Sequence, residues 1–185
     1  MLEYLKRKGI ACSSRVYFID ALGYMALGLF SSLLIGLIIK TIRTQVSMNT
    51  LTELGTFAMD SKIVGAAIGV AVATALKAPP LLLFSAVFVG AFGNSVAGVA
   101  GSYFAVVVAI ELTKLIYQTT KLDILLVPFC MIMVGYFSST LIGVPLNELM
   151  SYLGSTIHWA TTQHPFVMSI IVATVMGLAL TAPIS

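Results

Sequence analysis

From Val16 to Ile39 the chain carries a single charged side chain, Asp20. As an α-helix that stretch reaches roughly 36 Å, enough to cross a bilayer. Lys40 and Arg43 close it. Few folds are open to a run this long and this apolar, because backbone polar groups inside lipid must pair within their own segment or barrel. Further apolar runs follow over 63–76, 81–92, 96–110, 124–146 and 166–182. Together they predict an all-α, polytopic helical membrane protein of about six membrane segments. Only 9% of the residues are charged. Soluble domains hold about 25%, so most of this surface must face lipid. The mean hydropathy of +1.04 agrees.

Two of the runs, 63–76 and 81–92, are short. Lys77-Ala78-Pro79-Pro80 separates them, and proline cannot continue a helix interior. Gly93-Asn94 ends the second run. Such interruptions read either as broken or re-entrant helices, tolerated at membrane depth where protein buries them, or as ordinary tilted spans. Residues 1–15 are basic and amphipathic, with Leu2, Leu5 and Ile10 apolar. They are expected to form an amphipathic cytoplasmic leader, with 16–185 as one membrane-embedded helical domain. The apolar run after Lys6, Arg7 and Lys8 is too long for a cleavable signal. Residues 44–62 read as a polar loop with a surface helix in its middle, and 147–164 as an interfacial segment around Trp159. With six crossings the leader, Lys77, Lys114 and Lys121 share one side, which the positive-inside rule makes cytoplasmic. Lys40, Arg43 and Lys62 fall on the other.

Small residues recur at four-residue spacing on four of the runs: Gly28, Ser32 and Gly36; Gly65, Gly69 and Ala73; Ala97, Gly101, Ala105 and Ala109; Gly135, Ser139 and Gly143. Lipid supplies no hydrophobic drive between helices, so stripes of this kind let backbones approach. They predict a tight bundle.

Ionisable groups at membrane depth cost about 2.5–3.5 kcal/mol each on insertion scales, so each needs a partner or a purpose. Lys77 beside Pro79-Pro80 reads as a snorkelling lysine or as a ligand contact at a stiffened turn. Asn94, between Gly93 and Ser95, suits a neutral polar ligand or plain turn chemistry. Glu111 and Lys114 are three apart and can pair on one helix face. Lys77, Asn94 and Glu111 are therefore the candidate substrate-binding residues, with Pro79 and Pro80 shaping the path. Asp20 reads as an interfacial carboxylate. Cys12 and Cys130 sit far apart in unlike surroundings, and His158 and His164 are six apart, so neither pair suggests a metal site. No catalytic motif, phosphate loop or cofactor site is visible, and the net charge of +3 is too small for nucleic acid. The residues point away from an enzyme.

The stretches LGYMALGLFSSLLIGLIIKTI at 22–42, ALKAPPLLLFSAVFVGAFGN at 75–94, IELTKLIYQTTKLDILLVPF at 110–129 and VMGLALTAPIS at 175–185 resemble the compact IIC-type membrane components of the bacterial sugar phosphotransferase system. That resemblance implies a multi-helix permease fold, usually dimeric, in the bacterial inner membrane, with a site for a sugar or small polar solute near mid-membrane. It implies a soluble IIB-type component or a regulator as partner, with the phosphorylated residues on the soluble components. Such proteins are nearly twice this length, so the chain is expected to be the N-terminal half. Two functions follow from the resemblance: a permease subunit, or a non-transporting sensor of the same fold. The small-residue stripes alone would also suit an assembly subunit.

Overall fold

A computed structural model describes residues 15–46, 49–118, 122–161, 169–170, 173–174 and 177. All its elements are helical, and no strand occurs among the described residues. The expected leader, all but Arg15, and most of the expected run 166–182 lie outside them.

Helix α1 spans Val16–Ile42 and continues to Val46. Its turns widen to π-helix over Val16–Ala21 and Phe30–Leu34. At the second wide stretch the Ser31 and Ser32 hydroxyls both donate to the Gly28 carbonyl, at 2.8 and 3.2 Å, a back-bond that bends helices. Helix α2 (Asn49–Ala58) and helix α3 (Ser61–Ala75) return along α1. A methyl group on Gly36 would stand 3.0 Å from the Gly55 carbonyl oxygen, and one on Gly28 would stand 2.8 Å from that of Ala67. Between them the returning chain bends by 49°. Asp60 makes the break: it leaves the helical region, and its carboxylate accepts from the Lys62 N–H as the N-cap of α3. The expected loop at 44–62 is therefore largely helix. Its polarity reflects an exposed face, with Glu53 and Thr56 outward.

Helix α4 runs Pro80–Ile116. Drawn straight, its 37 residues would reach about 55 Å, nearly twice the hydrocarbon thickness. It is not straight. Ala97 (φ −140°, ψ 27°) and Gly98 (φ 64°, ψ −157°) leave helical geometry, and the chain folds back into two arms, α4a (80–96) and α4b (99–116). A methyl group on Gly93 would stand 2.9 Å from the Gly101 carbonyl oxygen and 3.1 Å from Ala105 Cβ, which a straight helix would hold about 12 and 18 Å away. The interruption expected at Gly93-Asn94 thus lies at Ala97-Gly98. Gly93 is the close-contact residue, and Gly98 supplies the backbone conformation open only to glycine.

Helix α5 (Asp123–Thr161) lies along α4a. A methyl group on Gly135 would strike Val89, and one on Gly143 would touch Val96 and Ala97. It continues through Pro128 and Pro145, so 147–161 is an extension of the same helix rather than a separate interfacial element.

All thirteen residues of the four small stripes are buried. Around them pack Ile68, Val72, Leu82, Val106, Ile110, Val127 and Met131. Half of the most apolar window of α4 is buried, against 17% for α1 and 28% for α5. α4 is therefore the centre and α1 and α5 the flanks. Phe84, Phe88, Phe129 and Leu141 point outward, as lipid-facing side chains should. Among the described residues three helices are long and apolar enough to cross a membrane, or four if the bent α2–α3 pair is one span. The expected count of six is not reached by that criterion. The two arms of α4 enter it as one helix, and the last expected segment falls mostly outside the described residues.

Candidate functional site: two polar clusters at opposite ends of helix α3

Most of the buried surface is apolar, so the polar groups inside it stand out. Apart from serines on α1, α4a and α5, they gather in two clusters, one at each end of α3. The first lies where both helix breaks meet. Gly65, Gly69 and Gly90 bring α3 and α4a to backbone contact, since a methyl group on Gly65 would stand 2.5 Å from the Gly90 carbonyl oxygen. That proximity carries Asn94, 9% exposed, to the first turn of α3. Its Nδ2 donates to the Ser61 carbonyl at 2.7 Å and to Ser61 Oγ at 2.9 Å. Its Oδ1 is buried with no hydrogen-bond partner. Beside it, Ser102 Oγ of α4b donates to the Gly65 carbonyl at 3.3 Å. Asp60 is one residue before Ser61, and the Ala97-Gly98 break is one turn beyond Asn94. The starts of α3 and α4b, with the partial positive charge of helix N-termini, therefore flank an unsatisfied acceptor.

The second cluster lies at the far end of α3, roughly 22 Å away along the helix axis. Lys114 is 2% exposed. Its Nζ donates to the Leu76 carbonyl at 2.9 Å and to Glu111 Oε1 at 3.3 Å. Leu76 is the C-cap of α3, so the ammonium meets a carbonyl left over by the helix and its negative end. The Glu111 carboxylate also accepts a hydrogen bond from the Tyr17 side chain of α1. The Tyr103 hydroxyl of α4b donates to the Tyr17 carbonyl. Thr113 Oγ1, next to Lys114, is buried without a partner.

The candidate residues separate accordingly. Asn94 belongs to the first cluster and Glu111 to the second. Lys77 adjoins the second, exposed in the turn after Leu76 with φ 51°. The turn closes by the Ala78 N–H on the Ala73 carbonyl and the Lys77 N–H on the Thr74 carbonyl. Pro79 and Pro80 then start α4 as N-cap and first residue, a position where the missing proline N–H costs nothing. Sequence reasoning missed Ser61, Tyr17 and the Leu76 carbonyl. Ser61 had one legible signal, its place just after Asp60 at the head of an apolar helical run. Main-chain acceptors such as Leu76 carry none. No group of three metal-ligating side chains occurs among the described residues.

Neither the curated proteins nor the solved structures contain a match to the chain. Its stretch 19–185, which holds every residue of both clusters except Tyr17, matches the family model described as Phosphotransferase system, EIIC, and on that match the chain belongs to the EIIC family.

Proposed function

We propose that this chain is the solute-carrying membrane subunit of a phosphotransferase system, moving a sugar or another small polar solute across the bacterial inner membrane. Membership of the EIIC family supports a transporter subunit working with soluble components of the system. The observation that carries the reading further is Asn94. A buried amide oxygen without a donor, beside a serine hydroxyl and two interrupted helices, suits a ligand hydroxyl. Glu111 and Lys77 would stand at the mouth of the path, and Pro79 and Pro80 would fix the turn there. Six crossings follow if the arms of α4 count separately and 166–182 forms the last. The N-terminus, Lys77 and Lys114 would then lie in the cytoplasm, where a IIB-type component would meet them. Residues 1–15 would be the leader on that face. A homodimer is the expected assembly.

The test is uptake of a panel of labelled sugars by cells that lack their own permeases, together with vesicle exchange. Asn94→Ala should lower uptake about tenfold or more, the effect of one lost hydrogen bond in a buried site. If no sugar accumulates or exchanges, or if Asn94→Ala and Ser61→Ala both match the parent, the reading fails. Tight sugar binding without flux would favour the sensor instead.

A further inference from the structure

The proposed path takes its solute contact from the cluster around Asn94 and places Glu111 of the other cluster only at the mouth, which gives Lys114 and Tyr17 no task. Burying Lys114 and Glu111 brings little stability by itself, since desolvation offsets much of the attraction in a buried ion pair. What the pair does is connect. Lys114 ties α4b to the last carbonyl of α3. Glu111 ties α4b to Tyr17 of α1. Tyr103 adds a second tie to the Tyr17 main chain. Three helices are thus joined by polar contacts at one end, beside the apolar packing of Leu76 and Ile110 there. At the other end α3 and α4b both begin at breaks, Asp60 and Ala97-Gly98. Breaks of this kind can absorb the backbone rotation of a hinge.

We propose that Lys114, Glu111 and Tyr17 form a latch that holds the Lys77 end of the bundle closed, and that releasing it lets α3 and α4b part at that end about the breaks at Asp60 and Ala97-Gly98. Water entering the gap takes over the bonds of the ammonium and carboxylate, so release is reversible in a way that deleting one partner is not. The idea rests on the carrier reading for its purpose. Its test reads water access rather than transport, so either can fail alone.

Thr113 is the reporter, fully buried beside Lys114. In a Cys12→Ser, Cys130→Ser background, Thr113→Cys is treated with a positively charged methanethiosulfonate in proteoliposomes. Ser139→Cys, 1% exposed and one turn before Gly143 at the level of the α4 break, is the control at the opposite end. Lys114→Met should raise the reaction rate at position 113 about tenfold or more, the scale of a lost charged hydrogen bond, and leave position 139 unchanged. Tyr17→Phe should raise it less, in the same direction. The exchange Glu111→Lys with Lys114→Glu keeps the ion pair but places no donor at Leu76, and should also expose position 113. An unchanged rate at 113, or an equal rise at 139, overturns the latch. Where Lys114→Met gives no folded protein, Tyr17→Phe decides by the same two outcomes.

Discussion

Replacing Gly65 by alanine tests the contact on which the Asn94 cluster depends. A Cβ there would stand 2.5 Å from the Gly90 carbonyl oxygen, 2.5 Å from Asn94 Cβ and 3.0 Å from Ala91 Cα. Ordinary contact begins near 3.4 Å, and the obstacles are mostly main chain, so α3 and α4a must part by about 0.9 Å at this point. The Asn94–Ser61 bonds, now 2.7 and 2.9 Å, would stretch beyond about 3.5 Å and cease to be hydrogen bonds. Overpacking costs about 1–3 kcal/mol, and a buried amide left unpaired about 1–3 kcal/mol. The helix preference for alanine returns about 1 kcal/mol. The expected net loss is about 1–5 kcal/mol. It is measured by unfolding in mixed micelles against the fraction of denaturing detergent. Gly23→Ala is the control, exposed and with nothing within 4 Å of the added methyl, and should be neutral or stabilising by up to about 1 kcal/mol. If Gly65→Ala unfolds at or above the parent while the control behaves so, the helices do not meet at Gly65 and Asn94 is not held at Ser61 by that contact.

Gly98→Ala should lose about 1–3 kcal/mol in the same assay, although an added methyl there meets nothing within 4 Å. The cost is purely conformational, and a neutral result would mean the arms of α4 do not fold back at this residue. Lys77→Gly should gain about 1 kcal/mol, because φ 51° suits glycine better than a residue with a side chain. If it also weakens solute uptake, the lysine is kept for its charge at the expense of the turn.

Packing was legible before topology. Spacing alone marked Gly65, Gly69 and Ala73 as one face and Ala97, Gly101, Ala105 and Ala109 as another, because a helix fixes which residues share a side. All are buried. Where the chain turns was harder to read. Pro79-Pro80 announces a helix start by its chemistry, and α4 begins there. Gly98 announces nothing, since it is one of several glycines between 90 and 101 and differs only in φ. Pro145 sits inside α5 without ending it, as proline in a membrane helix can.

The site was legible as residue types and illegible as pairs. Asn94 and Glu111 stand out in an apolar sequence because each is costly there, and both turn out to be engaged. Asn94 finds its partner, Ser61, 33 residues away, and Lys114, the local partner of Glu111, also donates to a main-chain carbonyl 38 residues from itself. No local pattern encodes either distance. What sets them is the order of the small stripes. Gly65 and Gly69 meet Gly90, so the turn at 76–79 fixes α3 and α4a antiparallel in one register. Asn94, one helical turn past Gly90, then has only the head of α3 to face. On the same register, Lys114 reaches the tail of α3 because Ser102, three turns earlier on α4b, already sits beside Gly65. The glycines therefore position both polar clusters. A substitution that moves the register should disturb Asn94 and Lys114 together, whereas a change in either side chain alone should leave the other cluster intact.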